Sequence, residues 1–246
     1  MKSIILSVIV WIVCIITIII LFPVYMAFWA LTVLFDRKLF FVHYVLSIWA
    51  SIYTIFNPFW RVSIENRLVL NRSKTYVIVS NHQSLLDILI LFRLFKHFKW
   101  VSKTEIFRVP VIGWIMILNK YIKVKRGDKK SILKMMETCK KVLKSGISIL
   151  MFPEGTRSVD GNLGVFKDGA FNLALETQTD ILPIIIDGTS KAIPKKKLIL
   201  SNKQTIRMKI LDEIPVSDYI GKKVSEIRNS TFSIMNTELK KLRGNQ

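Results

Sequence analysis

The segment "YVIVSNHQSLLDILIL" (Tyr76–Leu91) places a histidine and an aspartate between two apolar runs. Its first part, "YVIVS", is short, β-branched and continuous, which is typical of a strand buried on both faces. On a regular α-helix, His82 and Asp87 would be rotated by about 140° from each other. They can meet if His82 lies in the turn after the strand and Asp87 lies in the first turn of a helix that begins near Ser84. The segment therefore predicts a strand, a polar turn and a helix.

Similar apolar runs recur along the chain and are separated by turn residues or by polar helices. They predict further strands at residues 98–102, 121–125, 147–152, 181–186 and 205–210. Apolar residues at helical spacing predict a one-faced helix over 128–146 and a final, mostly polar helix over 222–242. This alternation indicates an α/β fold with a mixed, mostly parallel sheet flanked by helices, in which 205–210 adds an antiparallel edge to 181–186.

The N-terminal part has a different composition. No residue is charged from Ser3 to Phe35, and from Leu39 to Trp60 His43 is the one residue that can carry a charge near neutral pH. Each stretch can hold a helix of about 20 apolar residues, the length that crosses a bilayer. Because only "DRK" (Asp36–Lys38) separates them, we predict a membrane-embedded two-helix hairpin over residues 1–60, followed by a second domain over 61–246. The serines and threonine mixed into the second stretch favour an interfacial position over two full crossings, and Pro23 should kink the first helix.

The charge of the chain predicts a polyanionic partner. Lys and Arg number 37 against 17 Asp and Glu, a formal net charge of +20, while 51% of the residues are hydrophobic. Nucleic acid, anionic membranes and phosphorylated substrates all fit such a charge. The aromatic residues lie in the hairpin and the buried runs instead of alternating with cations, so we expect a lipid bilayer and no nucleic acid. The basic segment Lys191–Lys197 suits anionic lipids.

The chain has two cysteines, Cys14 and Cys139. Their spacing fits neither a metal site nor a redox motif, so they are expected to be reduced thiols.

The histidine and aspartate allow two interpretations. "SLLD" matches a capping pattern, in which Asp87 only complements a helix N-terminus. In the second interpretation, Asp87 holds one imidazole nitrogen of His82 and leaves the other free to act as a general base. A metal site is not expected, because no third histidine or cysteine is suitably placed.

A second polar turn occurs in "ILMFPEGTRS", where a predicted strand runs directly into polar residues. These residues are Glu154, Gly155, Thr156 and Arg157. A glycine that admits close backbone approach, a hydroxyl and a guanidinium fork can together cradle a phosphate, although an ordinary turn also explains them. Lys103 and Arg126 follow two other predicted strands, and the carboxyl ends of parallel strands share one edge of a sheet.

With these motifs in place, the chain resembles the glycerolipid acyltransferases of the 1-acyl-sn-glycerol-3-phosphate acyltransferase type. "NHQSLLD" (Asn81–Asp87) resembles the H-x4-D block of that family, and "FPEGTRS" (Phe152–Ser158) resembles its E-G-T-R block. "KTEIFRVPVIGW" with the later Arg126 resembles the second block, "LPII" (Leu182–Ile185) the fourth, and "FKDGAF" the segment after the third. The blocks occur in order between about residues 75 and 189. Lys120 and Lys123 stand where the second block usually has glycine and phenylalanine.

The resemblance implies a reaction and a role for each motif. His82 would be the general base for an acceptor hydroxyl, oriented by Asp87. The residues that would hold the phosphate of the acceptor are Lys103, Arg126, Gly155, Thr156 and Arg157, with Glu154 placed on the glycerol hydroxyl or beside Arg157. The implied reaction moves an acyl group from a thioester to the sn-2 hydroxyl of 1-acyl-sn-glycerol 3-phosphate, lysophosphatidic acid, and forms phosphatidic acid in phospholipid biosynthesis.

Further expectations follow from the same resemblance. No cofactor is implied beyond the co-substrate, acyl-CoA or acyl-carrier protein. Because both donors are cytosolic, residues 61–246, the acyltransferase catalytic domain, would lie on the cytoplasmic face of the inner membrane. The apolar run Ile106–Leu118 would face an acyl chain or the bilayer, or form a core helix. The alternatives are another acceptor, such as glycerol 3-phosphate or a different lysophospholipid, and a non-catalytic basic membrane protein that binds lipid.

Overall fold

The computed structural model describes residues 2–194, 200 and 203–244, and its centre is a seven-stranded sheet. The strands are β1 (Trp60–Glu65), β2 (Val77–Ser80), β3 (Phe98–Lys103), β4 (Ile122–Val124), β5 (Ser148–Met151), β6 (Ile181–Asp187) and β7 (Gln204–Ile210). Their order across the sheet is β1-β7-β6-β2-β5-β3-β4. Every neighbouring pair is parallel except β6 and β7, which are antiparallel. The predicted mixed, mostly parallel α/β fold is confirmed.

Helices cover both faces of this sheet. They are α1 (Lys2–Thr32), α2 (Phe40–Ile55), α3 (Leu86–Phe92), α4 (Ile112–Leu118), α5 (Lys129–Lys144), α6 (Gly169–Thr177), α7 (Thr189–Ala192) and α8 (Val224–Gly244). In β2, Ile78 packs with α2 and α3, whereas Val77 and Val79 pack on the opposite face with α5, α6 and α8. Because both faces are covered, β2 and β5 are buried at every position, which explains why their sequences are largely apolar instead of alternating.

The predicted hairpin forms and packs against the sheet. Asp36 in the turn accepts the backbone N–H groups of Phe40 (2.9 Å) and Phe41 (2.7 Å), which satisfies the first turn of α2. Leu39, Val42 and Leu46 are buried in the same core cluster as Ile78 of β2. The hairpin and the sheet therefore share one hydrophobic core.

The two hairpin helices differ in length and exposure. Within the described part of the chain, α1 alone is long and apolar enough to cross a membrane by length and composition, with a mean hydropathy of 3.0 over Ser7–Thr32. It continues through Pro23 as one helix. α2 has 16 residues, about 24 Å, and packs one face on α3. That length is shorter than the roughly 30 Å hydrocarbon core, which disfavours a second crossing.

Three expectations need correction. β1 was not predicted, although its polar and apolar residues alternate as in a half-buried strand, because it lies at the predicted boundary between the hairpin and the second domain. β7 is antiparallel to β6 as expected, but β1 lies outside it, so β7 is not the edge strand. The run Ile106–Leu118 is not one helix: a 3₁₀ segment ends at Arg108 before Pro110, and α4 follows with one exposed and one buried face. Residues 195–197 of the basic segment lie outside the described residues.

Candidate active site

The polar side chains predicted from sequence follow strands that point in the same direction. β6, β2, β5, β3 and β4 are parallel neighbours, so their carboxyl ends form one edge of the sheet. His82 follows β2 and Glu154 follows the adjacent β5, whereas Lys103 ends β3 and Arg126 follows β4. With about 4.8 Å between strands, β3 and β4 stand roughly 10 and 14 Å from β2. The structure thus brings His82, Asp87 and the 154–157 turn together and places Lys103 and Arg126, both exposed, further along the edge.

His82 and Asp87 form a hydrogen-bonded pair at this edge. The distance between His82 Nδ1 and Asp87 Oδ2 is 2.7 Å, and the side chains are 15% and 0% exposed. Because a carboxylate only accepts hydrogen bonds, Nδ1 carries the proton and Nε2 keeps its lone pair. The imidazole also stacks on Phe152, with ring centroids 4.1 Å apart and planes inclined by 19°. The ring is therefore held by a hydrogen bond at its edge and a stacked ring on one face.

Asp87 is itself fixed by several donors. Its Oδ2 accepts the backbone N–H groups of Gln83 (2.6 Å) and Ser84 (2.8 Å), and its Oδ1 accepts the hydroxyl of Thr189 at the start of α7. Asp87 also lies in the first turn of α3, as predicted. One carboxylate binds the turn amides and the imidazole together, so the geometry is compatible with both interpretations, and the catalytic role stays a prediction.

Glu154 joins the two strand-end turns. Its Oε1 accepts the backbone N–H of His82 (2.8 Å) and its Oε2 accepts the backbone N–H of Gly164 (2.8 Å). Burial raises the pKa of Glu154, and the two backbone N–H bonds oppose that rise. Both oxygens are engaged within the protein, so the visible role of Glu154 is to hold the loops, and contact with a substrate stays a prediction.

The turn after Glu154 borders an open cleft of about 570 Å³. Gly155 has a φ of +67°, a conformation that glycine adopts without strain, and the Nζ of Lys167 lies 3.0 Å from where a Cβ on Gly155 would stand. Thr156 and Ser158 line the same cleft as Lys167. Lys167 was not predicted as a site residue, although it lies inside the quoted segment "FKDGAF". The cation joins the predicted cradle because its loop folds back, with Lys167 N donating to Pro153 O at 2.9 Å.

Other positioning residues carried no clear sequence signal. Asn81 extends the pairing of β2 with β6, because its Nδ2 donates to the carbonyl of Ile186 (2.8 Å) and its Oδ1 accepts the Ile186 N–H (2.8 Å). Thr189 lies about 100 residues away from Asp87 in sequence, so only the fold brings them together. Among the residues that the structure describes, no group of three or more histidine, cysteine, aspartate or glutamate side chains is placed to hold a metal ion.

The last turn of α8 reaches the same loops. Arg243 donates from Nε to Asp187 Oδ1 (2.9 Å), from Nη1 to Asn162 Oδ1 (2.8 Å) and from Nη2 to the carbonyl of Gly161 (2.7 Å). Gln83, beside His82, donates to the same Gly161 carbonyl at 3.0 Å. Arg243 therefore links the end of β6 to the loop that borders the cleft.

Comparison with known proteins identifies the family. A model of the Acyltransferase family matches residues 61–187. A chloroplastic 1-acyl-sn-glycerol-3-phosphate acyltransferase from Arabidopsis thaliana is 44% identical over 169 residues, which are 68% of this chain and 47% of the relative. A chloroplastic enzyme of the same name from Brassica napus is 45% identical over 163 residues, 65% of this chain and 47% of the relative. The chain thus spans about half the length of these relatives.

A solved structure agrees on the fold. The crystal structure of the 1-acyl-sn-glycerophosphate acyltransferase PlsC from Thermotoga maritima matches with a TM-score of 0.84 and 21% identity, covering 98% of this chain and 96% of that one. Because the family model covers more than half of the 246 residues and includes both polar turns of the site, the protein belongs to the acyltransferase family.

Proposed function

We propose that this protein transfers an acyl group from an acyl thioester to the sn-2 hydroxyl of 1-acyl-sn-glycerol 3-phosphate and forms phosphatidic acid. The observation that carries the proposal is the His82–Asp87 pair, in which Nδ1 is held by the carboxylate and Nε2 keeps its lone pair. The names of the Arabidopsis and Brassica relatives support the choice of acceptor.

The proposed reaction uses the pair as a general base. The acceptor hydroxyl gives its proton to His82 Nε2 while its oxygen attacks the thioester carbonyl carbon. The resulting oxyanion collapses, the carbon–sulfur bond breaks, and the imidazolium returns a proton to the leaving thiolate. Asp87 stabilises the imidazolium and preserves the tautomer. A positioned base of this kind contributes about 10²–10⁴-fold in rate.

The phosphate of the acceptor would be held by the basic turn beside this pair. Gly155, Thr156 and Arg157 supply backbone, hydroxyl and guanidinium donors, and Lys103 and Arg126 extend the positive edge. Glu154 supports this turn through its two backbone contacts. The acyl donor is acyl-CoA or acyl-carrier protein, and no nucleic acid takes part.

Membrane attachment completes the proposal. Residues 1–60 act as the membrane-attaching hairpin and 61–246 as the catalytic domain, with the exposed apolar face of α1 in the lipid. The large apolar surface on α1 and lipid-synthesising relatives support membrane association. We place the catalytic domain on the cytoplasmic face of the inner membrane, because both thioester donors are cytosolic, whereas the Arabidopsis relative is named chloroplastic.

The test uses the purified full-length chain with lysophosphatidate, glycerol 3-phosphate and a neutral lysophospholipid, each with acyl-CoA and with acyl-carrier protein. We expect lysophosphatidate to give the highest kcat/KM. His82→Ala should lower kcat by about 10²–10⁴-fold while the protein still folds and melts cooperatively, and Asp87→Asn should be nearly as severe because it destabilises the productive tautomer. Wild-type turnover by folded His82→Ala would exclude the base, and preference for another acceptor would exclude the proposed substrate.

A further inference from the structure

A second cleft, of about 690 Å³, lies at the opposite edge of the sheet from His82. It opens between the first turns of α2 and the loops that precede β2, β3 and β5. We call it the basic cleft, and its charged and aromatic lining includes Phe40, Tyr44, Arg67, Arg72, Lys96 and His97. No carboxylate lines it among the described residues. The proposed acyl transfer makes no use of this cleft.

The cations of the basic cleft are held by neutral backbone groups. Arg67 Nη2 donates to the carbonyl of Arg93 at 2.9 Å, and Arg72 Nε donates to the carbonyl of Leu94 at 3.2 Å. Lys96 Nζ donates to the carbonyl of Arg72 at 2.9 Å. A guanidinium has five N–H groups, so both arginines keep donors for another acceptor. Their positive charge is fixed in place and has no carboxylate partner in the cleft.

A buried histidine in this cleft indicates the same excess of positive charge. His97 Nε2 is buried and has no hydrogen-bond partner among the described residues. Burial, with the neighbouring Lys99, Lys96 and Lys38, lowers the pKa of His97 to about 3. The carboxylate of the hairpin turn, Asp36, is bound to the α2 amides. A bound anion would therefore meet several donors and a positive potential that the protein leaves unbalanced.

The chemistry around the cleft distinguishes a lipid from a soluble anion. Phe40, Tyr44, Ile48 and Ile52 recur at every fourth position, so they share one face of α2, and each is between 42% and 51% exposed. The basic cleft thus opens on the margin of an exposed apolar face. Apolar and aromatic side chains beside fixed cations match the boundary between the acyl chains and the phosphates of an anionic bilayer.

We propose that the basic cleft binds the phosphate group of an anionic phospholipid in the membrane surface, as a site separate from the acceptor site at His82. Arg67 and Arg72 contact the phosphate, and the α2 face enters the lipid next to it. Bound in this way, the hairpin is fixed in orientation as well as attached.

The test measures binding of the full-length protein to phosphatidylcholine vesicles with and without phosphatidylglycerol. The cleft variant is Arg67→Gln with Arg72→Gln. The matched control is Lys141→Gln with Lys144→Gln, which removes two exposed cations from α5 on the other face of the sheet. At about fivefold per cation, the cleft variant should lose roughly 30-fold in affinity for phosphatidylglycerol vesicles and little for phosphatidylcholine alone. The control should lose less than about threefold, since α5 does not face the lipid.

Two further variants separate binding from stability. Arg67→Lys with Arg72→Lys keeps the charge and should bind within a few fold of wild type. Lys38→Gln leaves the arginine bonds to the carbonyls of Arg93 and Leu94 intact. In the wild type, Lys38 Nζ lies 3.8 Å from the Cβ position of Gly146, which lines the cleft. This variant should lose about fivefold even if the arginine pair proves unstable.

The proposal is overturned if the cleft and control pairs lose equal affinity, because the effect would then be general charge. It is also overturned if Lys38→Gln and the arginine variants all bind as wild type. A rise in melting temperature with inorganic phosphate alone, lost in the cleft variant, combined with unchanged vesicle binding would assign a soluble anion instead. Because these experiments measure vesicle binding and not activity, failure of the phosphate-site proposal is distinguishable from failure of the proposed acyl transfer.

Discussion

At the scale of single residues, the hydrogen-bond donors around two buried positions of the site explain why carboxylates occupy them. Asp87 accepts hydrogen bonds from two turn amides, the imidazole of His82 and the hydroxyl of Thr189. Glu154 accepts from two amides that belong to different loops. Aspartate and glutamate suit these positions because an ionised carboxylate accepts at both oxygens and donates at neither.

Arg157 is predicted to bind the phosphate of the acceptor through its guanidinium group. Arg157→Lys keeps the charge but loses the planar fork. We expect kcat/KM for lysophosphatidate to fall by roughly 10–100-fold, the equivalent of one charge-assisted hydrogen bond, with little change in KM for the acyl donor. The measurement is steady-state kinetics with a phosphorylated and an unphosphorylated acceptor.

Arg228→Lys is the matched control, since Arg228 lies on α8 and pairs with Asp168, the residue that precedes α6. It should leave both acceptors unaffected. Equal losses for the two acceptors in Arg157→Lys would show that Arg157 does not recognise the phosphate.

Glu154 provides a prediction about pH. Burial raises its pKa above the value in the unfolded chain, so between these two values the folded protein binds the proton more tightly. The free energy of unfolding should therefore fall as pH rises from the unfolded pKa through the raised pKa of the folded state. Glu154→Gln should remove this part of the decline, as measured by urea unfolding at a series of pH values.

Glu137→Gln is the control with the opposite sign. A hydrogen bond from Lys140 lowers the pKa of Glu137 in the folded protein. The contribution of Glu137 to the free energy of unfolding is therefore present above its unfolded pKa and is lost as pH falls through the folded pKa. If Glu154→Gln and wild type had parallel pH profiles, the raised pKa of Glu154 would be refuted.

At the scale of elements, the site is assembled by strands and helices that are far apart in sequence. β2 and β5 deliver the two polar turns, β6 delivers Asp187, and α7 delivers Thr189. The last turn of α8 then closes the assembly through Arg243, which contacts Asp187 and the 161–162 loop. Although the sequence of α8 is mostly polar, the helix packs one face on the core and contacts the site through its last turn.

Arg243 is predicted to be a positioning residue. Arg243→Gln should lower kcat/KM for the acceptor by about 10-fold, because the loop beside Gln83 loses a charge-assisted bond. KM for the acyl donor and the melting temperature should change little, and Arg243→Lys should restore part of the activity. Lys241→Gln, on the same helix and 64% exposed, is the control. Equal effects on both substrates, or a loss explained by unfolding, would leave Arg243 with a structural role only.

At the scale of the whole molecule, the hairpin of α1 and α2 is part of the core and also carries a large exposed apolar surface. Leu39 and Val42 are almost completely buried against the sheet, whereas Ile16, Ile19 and Ile20 of α1 are exposed. Deletion of residues 1–60 should therefore expose the core and give an unstable protein, and it cannot isolate the membrane function.

The membrane function is tested by surface substitutions instead. Ile16→Ser, Ile19→Ser and Ile20→Ser together should leave the melting temperature unchanged and weaken binding to vesicles, because only solvent- or lipid-facing area is altered. Leu46→Ser, at a buried position, should instead lower stability by a few kcal/mol. Unchanged vesicle binding in the triple variant would contradict attachment through α1.

The sequence by itself determined the local features of this protein. The continuous apolar runs predicted β2, β5 and β6, because the strands at the centre of a parallel sheet are buried on both faces, and less regular runs predicted β3, β4 and β7. The spacing of His82 and Asp87 predicted a turn followed by a helix, because that is the local geometry in which they meet. The order and content of the motifs gave the family resemblance, since each polar turn is a short, continuous segment of sequence.

Tertiary structure alone decided the rest. β1 became an edge strand only by pairing with β7, which follows it by more than 100 residues, and alternation at a boundary carries no sign of such a partner. Thr189 and Arg243 join the site only because β6 and α8 end beside β2. The uncompensated cations of the basic cleft likewise come from two segments, before β2 and before β3, that no local pattern connects. Contacts between distant segments depend on the packing of the whole core, and for that reason single-sequence patterns leave them undetermined.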